Sequence, residues 1–427
     1  MTAPAGALAR TERVRPRPVP TADATVTVVV PCHDYARYLP AAVGSALDQA
    51  GVLVDVVVVD DASADDSLAV AARLAAADPR VTVVAHARNR GPVETFNDGL
   101  ARATGEFLVR LDADDLLTPG SLARSVALAR AYPSVGLVYG HPVHFAGEPP
   151  GAARTRARRW TVWPGRRWLA DRCADGYNVI TSPEVLMRGS VVAAVGGQRP
   201  LAHAHDMEMW LRLAAHADVA HVGGADQAWH REHAASLSAR EVDDATDFRE
   251  RVAAFAELAA AGAAGLPERD DLAAAARRAL VRQALRACRY EVDRGRRDPG
   301  RVRRLMAEAL VVAPELAGPW QRLDAALDAE PGALGRAAGL ARAVRVRADD
   351  VRRGRRWART GTYTRDGARG APRLPPGTTD ATDPTDPADR ARSRVPGGVA
   401  GSWRAPDDDP PTSPGAAGAA GGREGAA

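Results

Sequence analysis

Two short apolar stretches of this chain each end in a group of aspartates. The residues concerned are Val56 to Val59 followed by Asp60 and Asp61, and Phe107 to Leu111 followed by Asp112, Asp114 and Asp115. Apolar stretches of this length, of which the second is broken only by Arg110, are typical of buried parallel strands. Ligands of open α/β sheets bind outside the carboxyl ends of the strands, so the two groups of carboxylates are expected to meet in one crevice. The local sequence leaves one alternative open, namely ordinary turn and helix-cap aspartates.

The second group of aspartates also predicts a metal site. Side chains at positions i and i+2 leave a strand on the same side, so Asp112 and Asp114 are expected to share one hard cation while Ala113 points away. Carboxylate oxygens are ligands that suit Mg²⁺ or Mn²⁺.

Composition excludes several classes of function. The chain has 427 residues, which suits one α/β domain with appendages. It contains no lysine, which rules out a lysine Schiff base and a Walker A loop. The formal charge of +4 is small for this length, and the arginines lie mostly at the ends and in the C-terminal half, which argues against nucleic-acid binding. Three widely spaced cysteines argue against a disulfide framework or a structural zinc site, and they suit a reducing compartment.

The expected location is the cytoplasm. No apolar stretch reaches the roughly 18 residues of a membrane span. The N-terminus is rich in arginine and proline and lacks the apolar core of a signal peptide. Peripheral attachment at the inner face of a membrane stays open, and the sequence does not indicate the oligomeric state.

The texture of the sequence divides the chain into four regions. Residues 1–24 alternate Pro, Ala and Arg without a period and are predicted to be disordered. Residues 25–240 alternate strand and helix patterns, which predicts an α/β domain with a doubly wound parallel sheet and helices on both faces. Residues 246–350 are predicted to be a helical extension that docks on the core. Its predicted helical segments are 246–262, 270–293, 300–312 and 320–347. Residues 355–427 are rich in Pro, Gly and Asp and are predicted to be a disordered tail.

The order of sequence blocks between residues 25 and 240 resembles that of the inverting family-2 glycosyltransferases with the GT-A fold. In chain order, the blocks are Val26 to Asp34, Val57 to Asp65, Asn89-Arg90-Gly91 with Asn97-Asp98-Gly99, Gly105 to Asp115 with Pro119, Val195-Gly196-Gly197, His205-Asp206 with Glu208 to Leu213, and His230 to Ser238. Two positions depart from the family pattern. The first block ends in His33-Asp34 where the family usually has Tyr-Asn, and His230 replaces an aromatic residue. The resemblance does not extend beyond about residue 240.

The resemblance implies a fold and a reaction. The fold is a GT-A sheet that binds a nucleotide-diphosphate sugar, and the reaction transfers the sugar to a hydroxyl acceptor on a glycan, a lipid-linked molecule or a small molecule. The implied cofactor is a divalent cation, Mn²⁺ or Mg²⁺, which acts as a Lewis acid on the leaving diphosphate. The expected partners are therefore the nucleotide sugar and the acceptor, and the expected setting is polysaccharide biosynthesis.

The resemblance also implies roles for single residues on the donor side. Pro31, Asp60, Asp112 and Arg231 fall at nucleotide-binding positions, where Asp60 would read the nucleobase and Arg231 would contact the diphosphate.

Metal and catalytic roles follow in the same way. Asp112, Asp114 and His233 are the implied metal ligands. Asp206 holds the family's position for the base that takes the proton from the acceptor hydroxyl. A helix cap is the local alternative for Asp206.

Two other functions stay open. A sugar-phosphate nucleotidyltransferase also uses a nucleotide-binding α/β sheet, but that chemistry normally needs a Gly-rich Arg loop and a lysine, which this chain lacks. A catalytically inactive nucleotide-sugar-binding module would be expected to have lost Asp114 or Asp206, and both are present.

Two further patterns have simple interpretations. The Trp-rich stretch from Arg159 to Trp168 is interpreted as core packing, with a wall of the acceptor cleft as the alternative. His203 and His205 are not interpreted as a zinc site, because a closed site needs four ligands and no cysteine lies nearby.

Overall fold

The structure is a computed structural model, and it describes residues 8–149, 151–233, 242–262, 265–295, 298–329 and 332–364. Its centre is a mixed sheet. The strands are β1 (Glu12–Val14), β2 (Thr25–Cys32), β3 (Leu53–Asp60), β4 (Val81–Ala85), β5 (Phe107–Arg110), β6 (Leu116–Leu117), β7 (Val135–Phe145), β8 (Arg159–Trp163), β9 (Leu186–Arg188) and β10 (Asp218–Arg231). Their spatial order is β1-β8-β10-β7-β9-β5-β2-β3-β4, and β6 pairs with β10.

Seven helices accompany the sheet in the described residues before 234. They are α1 (Leu39–Leu47), α2 (Ser67–Ala77), α3 (Pro92–Leu100), α4 (Ser121–Ala131), α5 (Gly165–Asp175), α6 (Gly189–Val195) and α7 (His205–His216). Strands β5, β2, β3 and β4 are parallel neighbours. Along β2, Val28 and Val30 pack into one apolar cluster, whereas Val29 packs into the cluster on the opposite face. Apolar side chains on both faces explain the continuous Val runs, and the predicted α/β class is confirmed.

The other half of the sheet is partly antiparallel. Strand β9 runs antiparallel to both β5 and β7, and β8 runs antiparallel to β10. The long strand β10 is interrupted near Gly224, whose φ is +93° and whose added Cβ would lie 2.8 Å from the Cβ of Arg158. The prediction of disorder over residues 1–24 is wrong for residues 12–14, because β1 pairs antiparallel with β8.

The helical extension consists of five helices in the described residues. They are α8 (Asp244–Glu257), α9 (Arg269–Arg294), α10 (Pro299–Val312), α11 (Ala317–Asp328) and α12 (Ala333–Thr360), with a π-helical turn at Leu258–Gly262. The predicted single segment 320–347 is therefore wrong, because the structure has two helices there.

The predicted docking of this extension on the core is confirmed. Arg251 in α8 donates to the carbonyl oxygen of Gly176 over 3.1 Å, and Trp357 in α12 donates from its indole to the carbonyl oxygen of Val179 over 2.8 Å. Residues 355–364 fall within the predicted tail, but residues 355–360 form the end of α12, and Trp357 in this turn and Tyr363 just after it are buried. The tail prediction is wrong for that stretch, and residues 365–427 lie outside the described residues.

No helix in the described ranges is both long and apolar enough to cross a membrane.

Candidate functional site

The carboxyl end of β3 presents Asp60 at the predicted position. Asp60 lies opposite Cys32 in the parallel register of β2 and β3, and it is 1% exposed. One carboxylate oxygen, Oδ2, accepts a hydrogen bond from the backbone N–H of Ser63. The other, Oδ1, is buried and has no hydrogen-bond partner among the described residues. Since a buried acceptor without a partner is costly, this oxygen is available for a donor on a ligand. Pro31 lies beside this end, opposite Val59.

The neighbouring Asp61 has a different role, which sequence reasoning did not separate from that of Asp60. Its carboxylate accepts from the backbone N–H groups of Arg90 and Gly91 at 2.8 Å and contacts His86 Nδ1 at 2.7 Å. These hydrogen bonds outweigh the effect of burial and hold the pKa of Asp61 below its usual range. His86 also contacts Asp98 at 3.0 Å. Through His86 and the N–H groups of Arg90 and Gly91, Asp61 holds the loop that carries the Asn-Arg-Gly block.

The Asp-x-Asp segment forms a turn after β5. Because β5 ends at Arg110, the expectation that Asp112 and Asp114 leave a strand on one side is wrong. Asp112 accepts a hydrogen bond from Arg110 Nε at 2.9 Å, and Arg110 also donates to Gln198 Oε1 at 3.0 Å. Burial favours a raised pKa for Asp112, but the charge of Arg110 outweighs it and holds the pKa below its usual range. Asp112 is therefore ionised and held in place by Arg110.

Asp114 and His233 meet in the structure, as the resemblance implies. His233 Nε2 lies 2.9 Å from Asp114 Oδ2, and its ring lies beside the rings of Tyr35 and Tyr38, with centroids 6.0 and 5.7 Å away. Burial, together with the negative charges of Asp115 and Asp112, raises the pKa of Asp114 to about 7. The negative charge on Asp114 is thus not compensated by enough nearby positive charge.

The third aspartate of this turn, Asp115, ties the turn to the end of β10. It is fully buried and accepts from the backbone N–H of Arg231 at 2.7 Å, and it contacts His230 Nδ1 at 3.0 Å. Burial alone would lower the pKa of His230, but the charge of Asp115 raises it to about 9. His230, which replaces an aromatic residue of the family pattern, is therefore a cation that neutralises Asp115.

Arg231 is more enclosed than the sequence suggests. Its guanidinium lies over the rings of Tyr38 and Phe145, 4.6 and 4.5 Å from their centroids, and donates to the carbonyl oxygens of Asp114 and Gly147. These contacts hold the closing segment against the Asp-x-Asp turn. The predicted contact of Arg231 with a diphosphate remains a prediction.

Asp206 is the second residue of α7, and its carboxylate accepts a hydrogen bond from the backbone N–H of Met207 at 2.5 Å. The alternative of a helix cap is wrong, because the N-cap position of α7 is Ala204. Burial raises the pKa of Asp206, and the positive charges of Arg110 and His203 oppose that shift. Asp112 raises it further, so the structure brings Asp206 within electrostatic reach of the Asp-x-Asp turn. A carboxylate with a raised pKa is a stronger base than an ordinary surface aspartate.

Arg212 of α7 has a role that sequence reasoning missed. It is 2% exposed, pairs with Glu208 at 2.8 Å, and donates to the carbonyl oxygens of Val195, Gly196 and Gly197. A signal was present, since an arginine inside an apolar Trp-Leu-Arg-Leu helix must find acceptors when it is buried.

Gly197 is packed too closely for any side chain. A Cβ there would lie 2.2 Å from Asn97 Oδ1. Asn97 in turn exchanges hydrogen bonds with the backbone of Gln198, the residue that supports Arg110. The Gly-Gly block therefore connects α7 to the Asp-x-Asp turn.

The remaining predicted residues are placed as follows. Trp160, Trp163 and Trp168 are each at most 2% exposed, so the Trp-rich stretch is core packing, and the alternative of a cleft wall is wrong. His205 is buried, and burial with the charge of Arg110 lowers its pKa to about 3. Ser236 and Ser238 of the closing segment lie outside the described residues.

The donor set at the turn fits a divalent cation that arrives with phosphates. Within residues 8–149, 151–233 and the later described ranges, no three His, Cys, Asp or Glu side chains form a ready metal site. Mg²⁺ is usually held by one or two carboxylates together with substrate phosphates, so a complete protein cage is not required. The raised pKa of Asp114 marks negative charge that a cation would compensate.

Comparison with known proteins finds similarity within the sheet domain. Residues 27–183 match the family model described as glycosyl transferase family 2. The chain is 45% identical over 106 residues to the succinoglycan biosynthesis protein ExoO of Rhizobium meliloti, covering 25% of this chain and 30% of that protein. It is 32% identical over 97 residues to a chondroitin synthase of Pasteurella multocida, covering 23% of this chain and 10% of that protein. The chain thus spans less than a third of either relative.

A solved structure of residues 1–349 of TarS from S. aureus, in complex with UDP-GlcNAc, aligns with 70% of this chain and 92% of that chain. The TM-score is 0.49 and the sequence identity is 17%.

Proposed function

We propose that this chain, whose residues 27–183 match the family model described as glycosyl transferase family 2, is a metal-dependent inverting glycosyltransferase with the GT-A fold. It would transfer a sugar from a nucleotide-diphosphate sugar to a hydroxyl acceptor. Polysaccharide biosynthesis is the setting that we infer, with a glycan, a lipid-linked molecule or a small molecule as acceptor. The proposed location is the cytoplasm, with contact at the inner face of a membrane.

The observation that carries the proposal is that three aspartates near one end of the sheet have different environments, each suited to a different role. Asp60 keeps one buried oxygen without a partner in the described residues, which suits a base N–H of the nucleotide. Asp114 lies among carboxylates whose charge needs compensation, which suits a cation and the diphosphate. Asp206 faces this turn from α7 and has a raised pKa, which suits proton transfer from an acceptor.

The proposed reaction is a single displacement. The acceptor hydroxyl gives its proton to Asp206 while its oxygen attacks the anomeric carbon of the sugar. The bond between that carbon and the phosphate oxygen breaks, and its electron pair leaves with the nucleoside diphosphate. Attack opposite the leaving group inverts the anomeric configuration. Arg110 keeps Asp112 ionised and in place, and the buried His230–Asp115 pair holds the turn rigid.

Asp112, Asp114 and His233 are the residues that we propose would hold the cation, Mn²⁺ or Mg²⁺. When bound, a divalent cation supplies positive charge to the diphosphate as it becomes the leaving group. Pro31 and Arg231 belong to the walls of the same proposed donor site.

The test is a screen of nucleotide sugars with release of nucleoside diphosphate as the readout. With the active donor, Asp206→Asn keeps the shape of the side chain but cannot accept a proton, so turnover should fall by about 10² to 10⁴ with nearly unchanged donor binding. The matched control is Asp270→Asn, because Asp270 is 91% exposed on α9. Wild-type turnover in Asp206→Asn would return this residue to a helix-end role, and a retained anomeric configuration in the product would exclude the inverting mechanism.

The same screen separates the two alternatives. A sugar-phosphate nucleotidyltransferase would release pyrophosphate from a nucleoside triphosphate and a sugar phosphate. An inactive binding module would bind nucleotide sugars without any turnover. Neither alternative is favoured by a specific feature of the site.

A further inference from the structure

The long helix α12 presents an apolar stripe to solvent. Leu340, Val344 and Val351 are 61%, 61% and 43% exposed. Three exposed alanines fill the spaces between them, so that the stripe consists of Ala337, Leu340, Ala341, Val344, Ala348 and Val351. This spacing of three and four residues places all six side chains on one face of the helix. Leu334, which is 88% exposed, extends the stripe near the helix N-terminus.

Arginines border this stripe. Helix α12 carries nine arginines and two aspartates, Asp349 and Asp350. At 3.6 residues per turn, Arg347 lies on one flank of the stripe, Arg345 on the other, and Arg355 one turn beyond Val351. Each of these three arginines is exposed, and none forms an ion pair with a residue in the described part of the chain. Both aspartates are already paired with arginines, Asp349 with Arg352 and Asp350 with Arg353 and Arg286.

The opposite side of α12 is fixed to the rest of the protein. Arg342 pairs with Asp293 of α9 at 2.7 Å, and Ala343 and Trp357 are buried. The stripe is therefore presented on a rigid support, and the helix is not free to turn its apolar face inward.

We propose that this stripe and its three arginines, Arg345, Arg347 and Arg355, dock the protein on the surface of a membrane that contains anionic lipids. A helix that lies in the plane of a membrane interface buries its apolar face among the acyl chains while its arginines contact lipid phosphates. The excess of arginine selects this partner over a second copy of the chain, because two copies of α12 would bring like charges together. The inference concerns residues that have no role in the proposed donor site, and it does not depend on the proposed reaction.

Two hydrogen bonds anchor the C-terminal end of α12 on the core. The Trp357 indole donates to the Val179 carbonyl oxygen, and the Tyr139 hydroxyl donates to the carbonyl oxygen of Gly361, which follows the helix. The stripe is therefore carried by a helix that is attached to the core at this end.

The test is co-sedimentation of the full chain with vesicles, either of phosphatidylcholine alone or of equal parts phosphatidylcholine and phosphatidylglycerol. We expect sedimentation with the anionic vesicles only, and we expect it to weaken as salt screens the arginines. Leu340→Glu with Val344→Glu should abolish it. The triple variant Arg345→Gln, Arg347→Gln and Arg355→Gln should weaken it on the order of a hundredfold, since each arginine near an anionic surface contributes about fivefold.

Two matched variants serve as controls. Val311→Glu changes an 81% exposed apolar residue on α10, and Arg73→Gln removes an exposed arginine from α2. Both should sediment like the wild type, and circular dichroism should show that every variant is folded. Binding that is equal in all variants would overturn the proposal, as would the absence of binding to anionic vesicles.

Light scattering and a shortened chain exclude the other occupants. If the stripe variants dissociate an oligomer and leave vesicle binding unchanged, the stripe is an interface between copies and the proposal is wrong. If only a chain ending at residue 364 binds vesicles, residues 365–427 cover the stripe in the full protein, and the proposal is wrong for the full chain.

Discussion

Replacement of Trp357 by alanine should be among the most destabilising single changes in the helical extension. Its indole is 5% exposed, stacks on the ring of Tyr363 with centroids 6.0 Å apart, and donates to the carbonyl oxygen of Val179. Removal of a buried tryptophan side chain, with the hydrogen bond that it donates, costs about 3 to 5 kcal/mol. We therefore expect Trp357→Ala to lower the free energy of unfolding by about 4 kcal/mol.

The assay is urea unfolding followed by circular dichroism. With a slope of about 3 kcal/mol per molar urea, the midpoint should fall by about 1.3 M. Trp357→Phe keeps most of the ring contact and loses only the hydrogen bond, so its cost should be about 1 to 2 kcal/mol. Leu334→Ala is the control, because Leu334 is 88% exposed on the same helix and its replacement should change the free energy of unfolding by no more than about 0.5 kcal/mol.

The same reasoning applies to shortened chains. A chain that ends at residue 355 lacks Trp357 and Tyr363 and should be destabilised like Trp357→Ala, whereas a chain that ends at residue 364 keeps both. If Trp357→Ala and the chain ending at 355 unfold within about 1 kcal/mol of the wild type, the end of α12 does not contribute to the fold as its contacts imply.

Three further outcomes are expected. Gln198→Leu leaves Arg110 without its support, so the ratio kcat/KM should fall about tenfold to a hundredfold through displacement of Asp112, and unchanged kinetics would show that Arg110 needs no support. Asp114→Asn should abolish Mn²⁺ binding measured by magnetic resonance in the presence of nucleoside diphosphate, whereas equal binding would refute its role as ligand. Burial raises the pKa of Glu184 to about 7, so the folded protein holds a proton that the unfolded chain loses near pH 4.5. The free energy of unfolding should therefore fall by about 3 kcal/mol between pH 4.5 and 8. Glu184→Gln should remove this loss in urea titrations.

Much of the parallel half of the sheet could be predicted from the sequence. Strands β3 and β5 lie within a few residues of the two apolar stretches that predict them, because apolar runs of this length are strong local signals. The antiparallel half was not predicted. Strand β1 has only three residues and forms by pairing with β8, a contact distant in sequence that no local pattern records.

The positions of the candidate site residues were predicted better than their environments. Asp60 is the last residue of β3, as the strand pattern predicts, whereas Asp114 lies in the turn that follows β5. The role of Arg110 could not be read, since its partners Asp112 and Gln198 are separated by 86 residues and meet only in the folded chain. The boundary of the tail was misjudged because the apolar residues that bury there, Trp357 and Tyr363, are few and surrounded by arginine and glycine.

Each aspartate group contains one residue whose carboxylate is committed to the protein itself. Asp61 is occupied by His86 and by two backbone N–H groups, which leaves the partly unpartnered Asp60 beside it. Asp115 is occupied by His230 and the backbone of Arg231, which leaves Asp114 in a field of negative charge.

In each group, the aspartate that is hydrogen-bonded within the protein helps to position the aspartate beside it. A carboxylate with several internal donors fixes the turn in a single conformation, and that rigidity positions its neighbour before any ligand arrives. Removal of Asp61 or Asp115 should therefore impair folding, and removal of Asp60 or Asp114 should impair ligand binding while the fold survives. Adjacent aspartates at strand ends thus divide into a residue that builds the site and a residue that serves it, and the hydrogen-bond partners, which the sequence does not reveal, decide which is which.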